Sequence, residues 1–372
     1  MSLVAVGACY VDTNPADSWA TQISDDPTRD RLYLRNLDRP ILPRLVRPRK
    51  EFAMSLVAVG ACYVDTILTT PHYPLEDGKQ RASSFSSRRG GNCPNSLEVL
   101  QQLVAASHQP LALHLIAVLP ARSSSASQMI KKGLGPDIQL GGCIFREAST
   151  EPASCYIIKS QATGSRTIIN YSDLPDMTVN EFIDSVNAMT MQVTWFHFEG
   201  RIPEVTQKCI QFVRRRFPTA HVSVEIERPG RTGLQGLAEV ANVVFYAKSW
   251  AIDRGYTTAC DCLLKESARL EGREVSLMFC TWGEDGAAAL DRETGHLIHV
   301  PAYTAPDFKI VDPVGAGDTF IAGILYALNC NSDWDLGQKV RFANRVAGMK
   351  VSQEGFSGLA RALGSNDQES DL

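Results

Sequence analysis

The chain has 372 residues, 44% of them hydrophobic, enough to bury a large core as one α/β domain with an added lid or as two to three domains. A formal net charge of −4 gives no reason to expect nucleic acid as a partner, and the basic run Arg214-Arg215-Arg216 reads as a solvated helix face. No apolar run is long enough to cross a bilayer, the first residues lack the order of a secretory signal, and ten scattered cysteines without metal-ligand pairing point to a reducing, cytoplasmic setting.

The string MSLVAVGACYVDT at residues 1–13 recurs unchanged at residues 54–66. Between the copies, residues 14–53 carry several proline steps and little periodicity, so they read as loop or disorder. Only the second copy leads into a plausible domain. Residues 1–53 are therefore expected to be an N-terminal extension, which an alternative gene model explains equally well. Residues 54–360 form the domain, 361–372 are a polar tail, and residues 56–65 are expected to fill the first strand of the central sheet.

Further along, residues 69–85 are polar and aromatic pieces suited to a lid or edge hairpin. Arg88-Arg89-Gly90-Gly91-Asn92 reads as a turn into a helix over 94–103, with Pro94 in its first turn. A buried strand is expected at 113–119 and a helix near 125–134. Residues 155–158 and 166–171 read as short strands joined by the turn Thr163-Gly164-Ser165, so the lid is expected near 69–90 and 153–173. Apolar runs at 194–198, 221–226, 240–245 and 275–280 are separated by helix-length sequence. That spacing predicts a mostly parallel sheet covered by helices on both faces, with ligands outside the carboxyl ends of its strands.

The densest signal is Lys309-Ile310-Val311-Asp312-Pro313-Val314-Gly315-Ala316-Gly317-Asp318, a strand-like start followed by small residues that open a buried helix over 321–328. Small residues let unpaired backbone N–H groups converge on an anion where the helix dipole also favours negative charge. Asp318, one residue on, is placed to take a proton from a hydroxyl attacking phosphorus. A plain helix-capping turn fits the same four residues. The string is neither a GxGxxG fingerprint nor a GxxxxGK[ST] loop.

Residues 312–320, DPVGAGDTF, resemble the C-terminal signature of the ribokinase-like (PfkB-type) carbohydrate kinases, and the similarity extends from about residue 54 to 360. Within that family the chain is most similar to the ketohexokinase branch, through Gly164-Ser165-Arg166-Thr167-Ile168, His197-Phe198-Glu199-Gly200-Arg201, Val222-Ser223-Val224-Glu225-Ile226-Glu227 and Cys280-Thr281-Trp282-Gly283-Glu284-Asp285-Gly286-Ala287. The resemblance implies a three-layer α/β fold with a mostly parallel sheet and a small β-strand lid. It also implies transfer of the γ-phosphoryl of ATP to the 1-hydroxyl of fructose, and a homodimer formed through the lid. Ribose, adenosine or another polyol is the rival acceptor within the family, and a catalytically silent sugar or nucleotide sensor is the rival outside enzymes.

By this resemblance Asp65 binds substrate, although alone it reads as a turn residue. Gly91, Asn92 and Asn95 join it, the glycine allowing close approach and the amides both donating to and accepting from hydroxyls. Arg166, otherwise a surface strand residue, clamps the transferred phosphate opposite Gly315, Ala316 and Gly317. The nucleotide falls to Lys248, Trp282, Gly283, Glu284, Gly286 and Ala287, with Asn344 and Gly355 on the adenine side; a plain strand-to-strand turn is the other reading of 282–287. Magnesium is expected with ATP, and Glu225 and Glu227 are its acidic helpers, because the family's Asn-x-x-Glu element is replaced here by Lys248-Ser249-Trp250-Ala251. Asp312 belongs either to a monovalent-cation (potassium) loop or to a capped turn.

Overall fold

A computed structural model describes residues 54–305 and 308–361; the expected extension 1–53 and residues 362–372 of the expected tail lie outside the described residues. In chain order the strands are β1 (Met54–Val59), β2 (Tyr63–Thr70), β3 (Ser84–Gly90), β4 (Leu111–Ile116), β5 (Val118–Pro120), β6 (Ile138–Gln139), β7 (Ile144–Arg146), β8 (Ser154–Ser160), β9 (Arg166–Tyr171), β10 (Trp195–Glu199), β11 (His221–Ile226), β12 (Val243–Ala247), β13 (Leu277–Thr281), β14 (Ala287–Asp291) and β15 (His296–Val300). The α-helices are α1 (Asn92–Ser107), α2 (Ser125–Leu134), α3 (Val179–Asn187), α4 (Pro203–Arg216), α5 (Leu234–Ala238), α6 (Lys248–Asp253), α7 (Ala259–Arg269), α8 (Ala316–Cys330) and α9 (Leu336–Val351).

The main sheet runs β15-β14-β13-β12-β11-β10-β1-β4-β6, and only its β13-β14-β15 end is antiparallel. Strand β1 lies between β10 and β4, in parallel with both. Its side chains alternate: Leu56 and Ala58 enter a core with residues of α1, α8 and α9, whereas Val57 and Val59 enter a second core with residues of α3, α4 and α7. Burial on both faces is what makes these strands continuous apolar runs. The chain leaves β1 toward β4 on one side and later builds β10 to β13 on the other, so a crevice opens at the carboxyl end of β1.

A second sheet, β3-β2-β8-β9, forms the lid. Strand β2 pairs antiparallel with β3 and parallel with β8. Residues 56–65 therefore do not form one strand. The first strand ends at Val59, and Asp65 belongs to the lid, where its cross-strand partner is Arg88.

Other expectations shift for local reasons. Arg88 to Gly90 are strand rather than turn, and the break falls on Gly91, whose φ of 105° and close approach to the Ala61 carbonyl both call for glycine. The expected strand 113–119 is divided between β4 and β5, because β5 leaves the main sheet to pair with β7. The runs at 240–245 and 275–280 slide about two residues onward, since Ala247 and Thr281 are the last partners of β12 and β13. Residues 309–311 form no strand: the amides of Val311 and Asp312 both bond the Val351 carbonyl at the end of α9. The helices at 125–134 and 321–328 and the strands at 155–158, 166–171, 194–198 and 221–226 lie where the periodicity puts them, within a few residues.

Candidate active site

A cavity of about 470 Å³ lies between the lid and the carboxyl ends of the main strands. Its floor is the start of α8. Gly315 caps that helix at φ 83°, against the ring of Phe356, where a Cβ would come within 2.4 Å of the ring. A Cβ at Gly317 would meet nothing within 4 Å. The opening turn of α8 thus offers the cavity backbone N–H groups and the positive end of the helix dipole, over a helix whose Phe320, Ile321, Ile324 and Leu325 anchor it in the core.

Asp318 sits in the first turn of α8 and is buried. Its Oδ2 accepts a 2.6 Å hydrogen bond from Asn95 Nδ2, and its carbonyl accepts one of 2.9 Å from Ser96 Oγ. Burial raises its pKa to about 8; the Asn95 bond opposes that rise, Glu227 and Glu199 add to it, and Arg89 opposes it. A carboxylate in that range is a stronger base than an ordinary aspartate, and it is ionised and able to accept a proton above about pH 8.

Asp65, Gly91, Asn92, Asn95, Arg166, Glu225, Glu227 and residues 315–318 all line this one cavity. Asp65 and Arg166 come from the lid, and Arg166 stands on the exposed strand β9. Burial raises the Asp65 pKa, against the pull of Arg88. Asn92 Nδ2 donates to Glu225 Oε2 at 3.0 Å and to Glu227 Oε2 at 2.8 Å. Burial and the neighbouring Glu227 and Asp318 push the Glu225 pKa well up. Asn95 is committed within the protein, because its Oδ1 accepts from Arg89 Nη1 at 2.8 Å while its Nδ2 serves Asp318.

The residues expected at the nucleotide are placed differently. Lys248 and Trp282 stand one position beyond Ala247 and Thr281, which do line the cavity, and the Lys248 ammonium is 5.7 Å from the Trp282 ring. Gly283 and Glu284 are exposed in the one-turn 3₁₀ segment between β13 and β14, next to Lys248. Gly286 and Ala287 are buried in that hairpin, where Gly286 lies against the Val300 carbonyl and the Ala302 amide. The strand-to-strand turn reading thus describes these two. Asn344 donates both amide hydrogens, to the carbonyls of Val300 and Pro301 at 2.9 Å, and so ties α9 to the end of β15. Gly355 lies outside the cavity lining, with its amide 3.4 Å from Asp312 Oδ2.

Asp312 also lies outside the lining. Its Oδ2 accepts from Arg88 Nη1 at 2.9 Å and from the buried Lys350 ammonium at 2.8 Å, and its Oδ1 accepts from the Val314 amide at 3.1 Å. These partners hold its pKa down to about 2 despite burial. With two cations and a backbone amide on it, this carboxylate caps the turn before α8 and does not fit as a ligand for potassium. Glu225 and Glu227 do fit magnesium, which keeps several waters and takes phosphate oxygens, so that one or two carboxylates suffice. Among the described residues no group of three or more acidic, histidine or cysteine side chains is arranged to hold a metal by itself.

Among the residues that escaped the sequence reading, Tyr63, Glu199 and Arg201 line the cavity and Arg89 lies behind Asn95. Arg201 Nη1 donates to the Tyr63 hydroxyl, and Glu199 Oε2 accepts from the Ala61 amide at 2.8 Å. Glu199 is the last residue of β10, so the rule that ligands gather past strand ends would have found it.

Comparison with known proteins gives one consistent answer. Residues 264–361 match the family described as pfkB family carbohydrate kinase. The chain is 32% identical over 320 residues to the ketohexokinase of Mus musculus, covering 82% of this chain and 98% of that protein. It is also 36% identical over 91 residues to the bifunctional protein HldE of Nitrobacter hamburgensis, spanning 17% of that protein. Among solved structures, a putative ribokinase from Agrobacterium tumefaciens superposes with a TM-score of 0.67 at 16% identity, covering 85% of this chain and 99% of that one. Arabidopsis thaliana ribokinase complexed with ribose and ATP gives 0.63 at 18% identity, over 81% and 93% of the two chains.

Proposed function

Given that the chain belongs to the pfkB family of carbohydrate kinases and is an ATP-dependent sugar kinase, we propose that it phosphorylates fructose at the 1-hydroxyl. The observation that carries this reading is the placement of Asp318 at the mouth of the α8 cradle, across one cavity from Asp65 and Asn92, together with 32% identity to a ketohexokinase along almost that whole protein.

Asp65 and Asn92 hold the sugar hydroxyls. Asp318 takes the proton of the attacking hydroxyl as its oxygen bonds to the γ-phosphorus and the bond from that phosphorus to the bridging oxygen breaks, releasing ADP. The amides at residues 315–317 and the Arg166 guanidinium receive the charge on the transferring group, so placement and electrostatics supply most of the rate. Magnesium, when bound with ATP, neutralises phosphate charge, and Glu225 and Glu227 are the residues on this chain that would hold it, through water. Lys248, beside Trp282 and Gly283, is assigned to the nucleotide phosphates.

Three further assignments belong to this proposal. The domain begins at residue 54, because β1 and β2 are built from the second copy of the repeat. A homodimer through the outer face of the lid is supported by Phe85, Tyr156, Ile169 and Tyr171, which are large and exposed on that face. A cytoplasmic setting suits the nine free cysteines among the described residues, and no described helix is long and apolar enough to cross a membrane.

A substrate panel with Mg-ATP tests the reading. Fructose should be turned over with kcat/KM at least about tenfold above ribose and adenosine, a difference of about 1.4 kcal/mol. Comparable turnover of ribose and fructose counts against a specialised ketohexokinase, and binding of sugar and nucleotide without product would make the chain a sensor.

A further inference from the structure

We propose that Arg89 is a positioning residue for the catalytic base: from lid strand β3 it fixes the orientation of the Asn95 amide, and Asn95 in turn fixes Asp318. Arg89 is 4% exposed, and a guanidinium that deep must be paired. Its Nη2 is paired with Glu98 on α1, and its Nη1 donates to Asn95 Oδ1 at 2.8 Å. Its Nε has no hydrogen-bond partner among the described residues.

The chemistry follows from what an arginine can do. A guanidinium only donates. It therefore selects the carbonyl end of the Asn95 amide, and the NH2 end is left to face Asp318, where it donates to Oδ2 at 2.6 Å. A donor at that oxygen favours the ionised carboxylate, the form able to take a proton. Without Arg89 the amide is free to turn its carbonyl toward Asp318, and a carbonyl pairs only with the protonated acid.

The setting makes that selection matter. Asp318 faces Glu199 at the end of β10, Glu225 and Glu227 on and after β11, Cys93 on α1 and Lys350 on α9, besides Arg89. The carboxylates disfavour a charged base, and the Arg89–Asn95 arm works against them. The same hairpin carries both ends of the device, since β3 pairs with β2 and β2 bears Asp65. A residue that binds sugar and a residue that sets the base thus stand on one piece of the lid.

This inference rests on the reading of Asp318 as the base, and the experiment separates the two. Arg89→Met, Arg89→Lys and the double variant Arg89→Met/Glu98→Gln are assayed with Mg-ATP and the fastest acceptor from the panel, with the melting midpoint measured alongside. The double variant leaves no buried charge unpaired, so it tests the idea even where the single methionine variant fails to fold. It is expected to melt near the wild type and to lose about tenfold or more in kcat, with KM for ATP changed by less than about twofold. Arg89→Lys should recover part of the loss, because an ammonium also only donates. A folded double variant with wild-type kcat overturns the inference while Asp318→Asn is inactive; wild-type turnover in Asp318→Asn would instead overturn the base reading itself.

Discussion

The main sheet and the lid are both β structure, yet they are held by different forces. In β11 every residue but the first is buried, whereas in β9 every residue is exposed. The main sheet is stabilised by two apolar cores, one on each face. The lid is tied to the rest by polar contacts along its inner edge: Arg88 to Asp312, Lys159 Nζ to the Val311 carbonyl, Arg89 to Glu98 and Arg201 to Tyr63. The difference teaches a division of labour. A rigid wall positions the start of α8 and Asp318, and a sheet with little core of its own brings Asp65 and Arg166 to the same cavity.

The sharpest way to break that comparison is to remove the base from the wall. Asp318→Asn keeps the size and a hydrogen-bonding group but not the proton acceptor, and kcat should fall by about 10²- to 10⁴-fold while sugar and nucleotide still bind. Steady-state turnover beside a binding measurement checks this, and undiminished turnover removes Asp318 from the mechanism.

Next in size is the contrast in stability. Phe198 is 1% exposed in β10 and stacks on Phe196, so Phe198→Ala should cost about 3–5 kcal/mol. Ile169 on β9 is 53% exposed, and Ile169→Ala should change the stability of one chain by no more than about 0.5 kcal/mol when measured at a concentration where the chain is monomeric. Denaturant unfolding of the two variants measures the ratio. Similar losses would mean that the lid has a core of its own after all.

The wall was the more legible of the two in sequence, and the reason is physical. The wall strands are rich in Val and Phe, so 194–198 and 221–226 announce themselves even though His197, Ser223 and Glu225 interrupt them, and the DPVGAGDTF string marks the cradle without help from the rest of the chain. The lid depends on partners far apart in sequence. Nothing local tells Tyr63–Thr70 to leave the main sheet and pair with Ser154–Ser160, and so the expectation that Asp65 ends the first strand of the central sheet fails, while Asp65 still lines the cavity. Arg89 was read as part of a turn because its burial is decided by Glu98 and Asn95 on α1. The Asn344 amide hydrogens go to the carbonyls of Val300 and Pro301, more than forty residues away, which no local pattern announces.

A smaller effect comes from the acidity of the site. Asp318 must be ionised to accept a proton, and its pKa is raised to about 8, so activity is lost as pH falls through that value and gained above it. The kcat/KM for the sugar, which reports the free enzyme, should have an acidic limb near pH 8 and fall about tenfold for each unit below it. An acidic limb near 4 instead would mean that neither burial nor the carboxylates around Asp318 raise it, and the wall would lose its electrostatic part in the comparison.

The smallest effect on the single chain sharpens the comparison most. Phe85, Tyr156, Ile169 and Tyr171 lie on the outer face of the lid, turned away from Asp65, Cys155, Arg166 and Asn170 on the inner one. A sheet that turns Asp65 and Arg166 to the cavity on one side and large apolar groups to the open on the other is suited to a second copy of itself. Ile169→Glu should change the stability of one chain by no more than about 0.5 kcal/mol, because the side chain is exposed there. In a dimer built through this face, the same change buries an unpaired charge, and the mass measured by light scattering should fall by about half. A mass unchanged by Ile169→Glu, whether of one chain or of two, would detach assembly from the lid and leave the lid to its sugar and its base.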